Sequence, residues 1–182
     1  MFAEKYTRSV NSSDLRDDEF HRSTDALAAS ALADVTGSQN LFGSLLVRVK
    51  YANGTIHKTF ESGTGNLASL LRIWTREVVK KGQERRWVPT NTAWDAQAAF
   101  ALYDRVATQS LAFWLDSRCQ PCNGAGTMAE TRRTCTCCAG SGRAQIDAGR
   151  LESDLIKSMV SELEGLYQAH GGRAARLLRR AA

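Results

Sequence analysis

Long apolar runs, histidines and catalytic signatures are what this 182-residue sequence has least of. No stretch approaches the ~18 consecutive apolar residues of a membrane-crossing helix, so no membrane partner is expected. Met1 to Asp18 is polar and mixed in charge, without the apolar core of a secretory signal, which sets the expectation of a cytoplasmic protein. The three histidines, His21, His57 and His170, lie in no H-x-E or H-E-x-x-H setting, against a zinc deaminase or a zincin. There is no G-x-x-x-x-G-K loop and no G-x-S-x-G elbow, and Gly63-Thr-Gly65 amounts to a turn. Neither an enzyme nor a small-molecule substrate is expected. Cysteine is absent before position 119 and after position 138, and five cysteines crowd between those limits.

What is present suits one domain of ordinary size. Hydrophobic residues make up 43%, enough to bury a core, and charged residues make up 24%, so nothing forces disorder. A net charge of +5 and an isoelectric point near 9.1 permit an anionic partner without requiring one. Periodicity organises the chain as a mainly α fold with a small zinc-knuckle module and one β-hairpin. Residues 1–40 read as a polar arm with a short helix around Thr24–Val35, and residues 41–182 as a single helical domain. The hairpin is expected over 45–60: polarity alternates around Asn53-Gly54, a dipeptide suited to a type I′ turn, and would set Val47 opposite Phe60.

Asn66 to about Lys81 has Leu67, Leu70, Leu71, Trp74 and Val78 at helical spacing, with Gly82 placed as a C-cap. Pro89 precedes a long helix over Thr92–Leu115, whose expected buried stripe is Trp94, Ala98, Ala101, Leu102, Val106 and Leu111. Asp147–Ala169 is a further amphipathic helix, carrying Leu151, Leu155, Met159, Leu163 and Leu166 and interrupted by Gly171-Gly172.

The one specific motif lies within 117–143. Cys119-Gln-Pro-Cys122-Asn-Gly124-Ala-Gly126 and Cys135-Thr-Cys-Cys138-Ala-Gly140-Ser-Gly142 are two copies of C-x-x-C-x-G-x-G. Two residues between cysteines let both thiolates of a tight turn face one ion, and two such turns complete a tetrahedral zinc site. The glycines permit positive φ, so that backbone N–H groups turn toward the sulfurs. Cys119, Cys122, Cys135 and Cys138 are therefore the expected ligands of one structural Zn2+. Cys137 competes with Cys135 for the third place, and repeat symmetry favours Cys135.

Paired knuckles of this kind occur in DnaJ-type chaperones, but the four repeats, His-Pro-Asp tripeptide and Gly/Phe-rich linker of those proteins are missing here. Over roughly residues 66–182 the layout resembles the late-gene antitermination protein Q family of lambda-type phages. Two helices lead into the cysteines at Ser117-Arg118-Cys119, the doubled knuckle follows, and a helical segment with Leu166-Tyr167 closes on a basic end. The resemblance implies a protein that binds double-stranded DNA near a late promoter and joins bacterial RNA polymerase. Arg143, Arg150, Arg173, Arg176, Arg179 and Arg180 are the candidate nucleic-acid contacts. The alternative is a zinc-stabilised protein-interaction adaptor whose basic residues are solvated surface.

Overall fold

A computed structural model describes residues 2–10, 23–35, 42–51, 65–89 and 92–180. Six helices are formed among them: α1 (Phe2–Val10), α2 (Ser23–Val35), α3 (Phe42–Tyr51), α4 (Asn66–Glu84), α5 (Ala93–Leu115) and α6 (Arg150–Arg180). No strand is formed among the described residues, where β pairing is confined to two isolated bridges. The chain divides into two compact units. One comprises Met1–Ile73 with Glu162–Ala182, and the other Trp74–Ser161.

In the first unit α1, α2 and α3 pack together around Tyr6, Ala29, Ala33, Phe42 and Leu46. The expected hairpin is not formed over 45–51. Phe42, Leu46 and Val49 are buried at the i, i+4, i+7 spacing of a helix, and Gly43 and Val47 widen that face. An apolar run this short satisfies both periods, and here the helical one wins by covering a wider buried surface. The turn at Asn53-Gly54 and the returning strand to Phe60 lie outside the described residues.

In the second unit the core joins Trp74 and Val78 of α4 to Tyr103, Val106, Leu111 and Trp114 of α5 and to Ile156 and Met159 of α6. The one polar group of Trp74 is satisfied, its Nε1–H donating to Ser110 Oγ at 2.9 Å. Helix α5 starts at a reciprocal capping box. Asp95 N–H donates to Thr92 Oγ1 at 3.2 Å, and Thr92 N–H donates to Asp95 Oδ2 at 3.0 Å.

Three sequence expectations are corrected here. The buried stripe of α5 is Ala99, Tyr103, Val106, Ala107, Ser110, Leu111 and Trp114. Trp94 is 82% exposed, and Ala98 and Ala101 are exposed too. A helix rich in alanine offers two apolar stripes, and the one that includes Tyr103 and Trp114 buries more surface. Gly82 is not a C-cap but an interior residue of α4, and its lack of a side chain makes room for the Tyr103 ring, with which a Cβ would collide. The helix ends instead with Arg86 at φ 49°, the Trp87 N–H bonded to Gly82 O at 3.0 Å and the Arg86 N–H to Gln83 O at 3.2 Å. That is a Schellman closure with arginine in the left-handed place glycine usually takes. Nor does Gly171-Gly172 interrupt α6, a continuous helix of 31 residues. Two glycines cost roughly 1 kcal/mol each in a helix interior, which neighbouring turns of good helix formers outweigh.

Candidate metal centre

Helix α5 stops at Asp116, and the chain then folds into a tight module whose buried side chains are cysteines. Cys119, Cys122, Cys135 and Cys138 are all buried, and together they form the interior of the module. Their four Sγ atoms lie within 4.8 Å of one another. Cys119 Sγ is 3.9 Å from Cys135 Sγ, and Cys122 Sγ is 3.7 Å from Cys138 Sγ. Four sulfurs about 2.3 Å from a central ion in a tetrahedron stand about 3.8 Å apart, so these spacings fit a single ion on four thiolates. Cys137 is exposed and stands outside the cluster.

The glycines explain why the motif is doubled. Gly124, Gly126, Gly140 and Gly142 all take positive φ, between 70° and 85°. Asn123 and Ala139, equivalent in the two halves, are also left-handed, at 48° and 50°. Gly126 N–H donates to Cys122 Sγ, and Gly142 N–H donates to Cys138 Sγ, both at 3.3 Å. The halves also clasp each other. Cys119 N–H donates to Gly142 O at 2.9 Å, and Cys135 N–H donates to Gly126 O at 2.8 Å. A Cβ on Gly126 would collide with Gly140 O, and one on Gly142 would collide with Gly124 O. Each terminal glycine is thus required by its own φ and by the backbone of the opposite knuckle. The arrangement has an approximate twofold axis passing through the sulfur cluster.

These donors act on the thiols. Burial alone would raise Cys138, but the N–H groups of Gly142 and Gly140 and the neighbouring Cys122 and Cys135 thiols outweigh it, bringing the thiol down to about 7. Cys119 moves the other way, chiefly because burial penalises its charged form.

Two bridges close the module. Arg118 pairs with Arg143 at its base, flanked by the Cys119 N–H to Gly142 O bond and an Ala144 N–H to Ser117 O bond of 2.9 Å. Thr127 pairs with Thr134 before a tip formed by residues 128–133. Arg118 is held by Asp116, Nε to Oδ1 at 2.9 Å and Nη2 to Oδ2 at 3.1 Å.

The candidate nucleic-acid residues are divided between the two units. Arg143 and Arg150 are exposed and belong to the second unit; Arg173, Arg176, Arg179 and Arg180 fall in the first. Arg173 is half-buried and donates its Nε–H to Ala33 O at 3.1 Å, so it holds α6 to α2. Arg176 and Arg179 are exposed on the last turns of α6, and the Arg180 side chain lies outside the described residues.

Sequence reasoning missed a second polar cluster, in the first unit. His170 Nε2 is 3.1 Å from Ser30 Oγ, and His170 Nδ1 is 3.1 Å from Asp34 Oδ1. The Nδ1 contact is at ion-pair distance but lacks hydrogen-bond alignment. Asp34 also accepts from the Ser44 N–H, at 3.1 Å to Oδ2. Its burial would raise the carboxyl, yet His170 and Ser44 together hold it below the ordinary carboxylate value. Gly43 lies against the pair, since a Cβ there would meet both the imidazole and the carboxylate. The order Ser30–His170–Asp34 matches that of an acyl-transfer triad, but such a triad works only where its serine meets a substrate. Ser30 is 1% exposed and the histidine fully buried, so the cluster ties α2, α3 and α6 together. Ser30 and His170 are 140 residues apart in sequence and no local pattern links them.

Among the described residues, no helix is long and apolar enough to cross a membrane. Comparison of the chain with protein families, curated proteins and solved structures finds no match.

Proposed function

We propose that this chain is a zinc-stabilised transcription antitermination factor that engages double-stranded DNA and RNA polymerase. The observation that carries the reading is the doubled C-x-x-C-x-G-x-G module, its four sulfurs at the spacing of a Zn–thiolate tetrahedron, set between α5 and the long basic helix α6. That is the order of parts in the antitermination family the sequence resembles. The zinc role is structural: all four positions are thiols turned inward, and none is left for a water or substrate. In this reading no residue performs catalysis.

A second reading, a zinc-braced adaptor without nucleic-acid binding, is favoured by the outer face of α5. Trp94, 82% exposed, stands there with Ala98 and Ala101, while Phe100, 56% exposed, lies on the flank of the helix against Tyr103, and exposed aromatic surface of this kind marks protein contacts. Multi-round transcription through an intrinsic terminator, with bacterial RNA polymerase and added protein, tests the first reading. Read-through with the wild type and none with Cys122→Ser is the expected result. Specific capture of another protein without any read-through would favour the adaptor.

A further inference from the structure

We propose that the exposed arginines of the metal module, Arg132, Arg133 and Arg143, form an edge that grips the phosphate backbone of double-stranded DNA. The inference rests on the DNA-binding reading above and supplies its contact surface.

Between Arg118 and Arg143 the chain carries four arginines, Arg118, Arg132, Arg133 and Arg143, against one acid, Glu130. The bridge at the base sets Arg118 directly opposite Arg143, and side chains of a bridged pair leave the same side of the backbone. Two cations so placed repel each other unless anions neutralise them. Arg118 has its carboxylate, Asp116, held through two nitrogens. Arg143 has no side-chain partner among the described residues, and the same is true of Arg132 and Arg133 at the tip.

The tip is held by its backbone. The Met128 N–H donates to Arg133 O at 2.9 Å, and the Arg132 N–H donates to Met128 O at 3.0 Å. Arg132 sits at φ 53°, a left-handed conformation that an arginine seldom adopts. Cations are therefore fixed at both ends of one short arm, an arrangement that suits a repeating polyanion better than a single phosphate group.

Composition selects the kind of nucleic acid. Residues 116–149 contain no Phe, Tyr, Trp or His. Single-stranded DNA and RNA are held largely by stacking bases on such rings, and this module offers none. Arginine contact with duplex phosphates needs no ring, and it positions a protein on DNA without reading sequence. A competing role is electrostatic support of the metal, since a divalent ion on four thiolates leaves a formal charge of about −2 that nearby guanidinium groups would offset.

The test uses the full zinc-loaded chain, fluorescence anisotropy with a short duplex of arbitrary sequence, and a titration from about 50 to 200 mM salt. Zinc content is measured on every sample. The variant is Arg132→Ala/Arg133→Ala/Arg143→Ala, and the control removes two exposed arginines of α4, Arg72→Ala/Arg76→Ala. We expect the triple variant to keep its zinc while the slope of log Kd against log salt falls by about 2 to 3, at roughly 0.9 per lost phosphate contact. The control slope should stay near that of the wild type. Wild-type binding with an unchanged slope in the triple variant would overturn this inference alone, as would loss of zinc without a change in slope. An equal fall in the control would do so too, by reducing the effect to net charge. Failure of the wild type to bind duplex DNA would overturn the DNA-binding reading and this surface with it.

Discussion

The metal module and the Ser30–His170–Asp34 cluster both bury polar, ionisable groups, yet they are built in opposite ways. The module draws its four thiols from a span of twenty residues and fixes them with their own backbone, through left-handed glycines and N–H groups aimed at sulfur. The helical cluster draws one residue from α6 and two from α2, with α3 lending a backbone N–H and a glycine-sized gap. The first is assembled by local geometry and has the spacing to hold an ion. The second exists only once three helices have packed. Loss of a ligand should therefore undo the module on the spot, whereas loss of the histidine should loosen a whole helix junction.

The largest effect should follow Cys122→Ser. Structural zinc contributes on the order of 10–16 kcal/mol of apparent binding free energy in small domains, so one missing thiolate should abolish stoichiometric loading. Elemental analysis should give about one zinc per wild-type chain and little in the variant. Amide exchange should rise sharply across 117–144 and little in α1 to α3. Protection lost equally in α1 to α3 would break the contrast between a local and a distributed site.

Next in size is His170→Leu. Asp34 would remain buried with only the Ser44 N–H for company, and leaving a buried polar group short of a partner costs about 1–3 kcal/mol. Urea unfolding followed by exchange in α2 and α3 should register the loss while zinc content stays at the wild-type value. Asp34 also gives a sign for acid. A carboxyl held below its ordinary 3.8 contributes stability that is present above that value and lost as pH falls through the depressed one. The first unit should weaken below about pH 4, and Asp34→Asn should flatten that dependence.

The smallest effect belongs to Cys137→Ser. The thiol is exposed and outside the cluster, so zinc content should hold and stability should change by less than about 0.5 kcal/mol. Halved zinc content in this variant would mean that Cys137 takes a ligand position that the observed geometry gives to Cys135.

Legibility in the sequence follows the same division. The cysteine set and the work of its glycines could be read directly, because C-x-x-C-x-G-x-G is local chemistry repeated at fixed spacing. Helices α4 and α5 were legible as elements, because their apolar residues recur with the helical period over five turns or more. The face that α5 buries was legible in part: Val106 and Leu111 are buried as expected, but Ala99 and Tyr103 are buried in place of Trp94, Ala98 and Ala101, a choice that only packing makes. Segment 45–51 failed for the same reason at shorter range, being apolar enough to satisfy either period. Cooperative helix propagation through Gly171-Gly172 and the meeting of His170 with Asp34 belong to tertiary structure, where no window of sequence reaches.

The bridge between Arg118 and Arg143 has a consequence for engineering. It brings the entry and exit of the module side by side, with Ser117 and Ala144 joined by a hydrogen bond. A segment whose two ends meet can be spliced into a surface loop of an unrelated host without stretching it. Because each knuckle's last glycine rests on the other's carbonyl, the transplantable cassette is the whole of 117–144, and neither half can be exchanged alone.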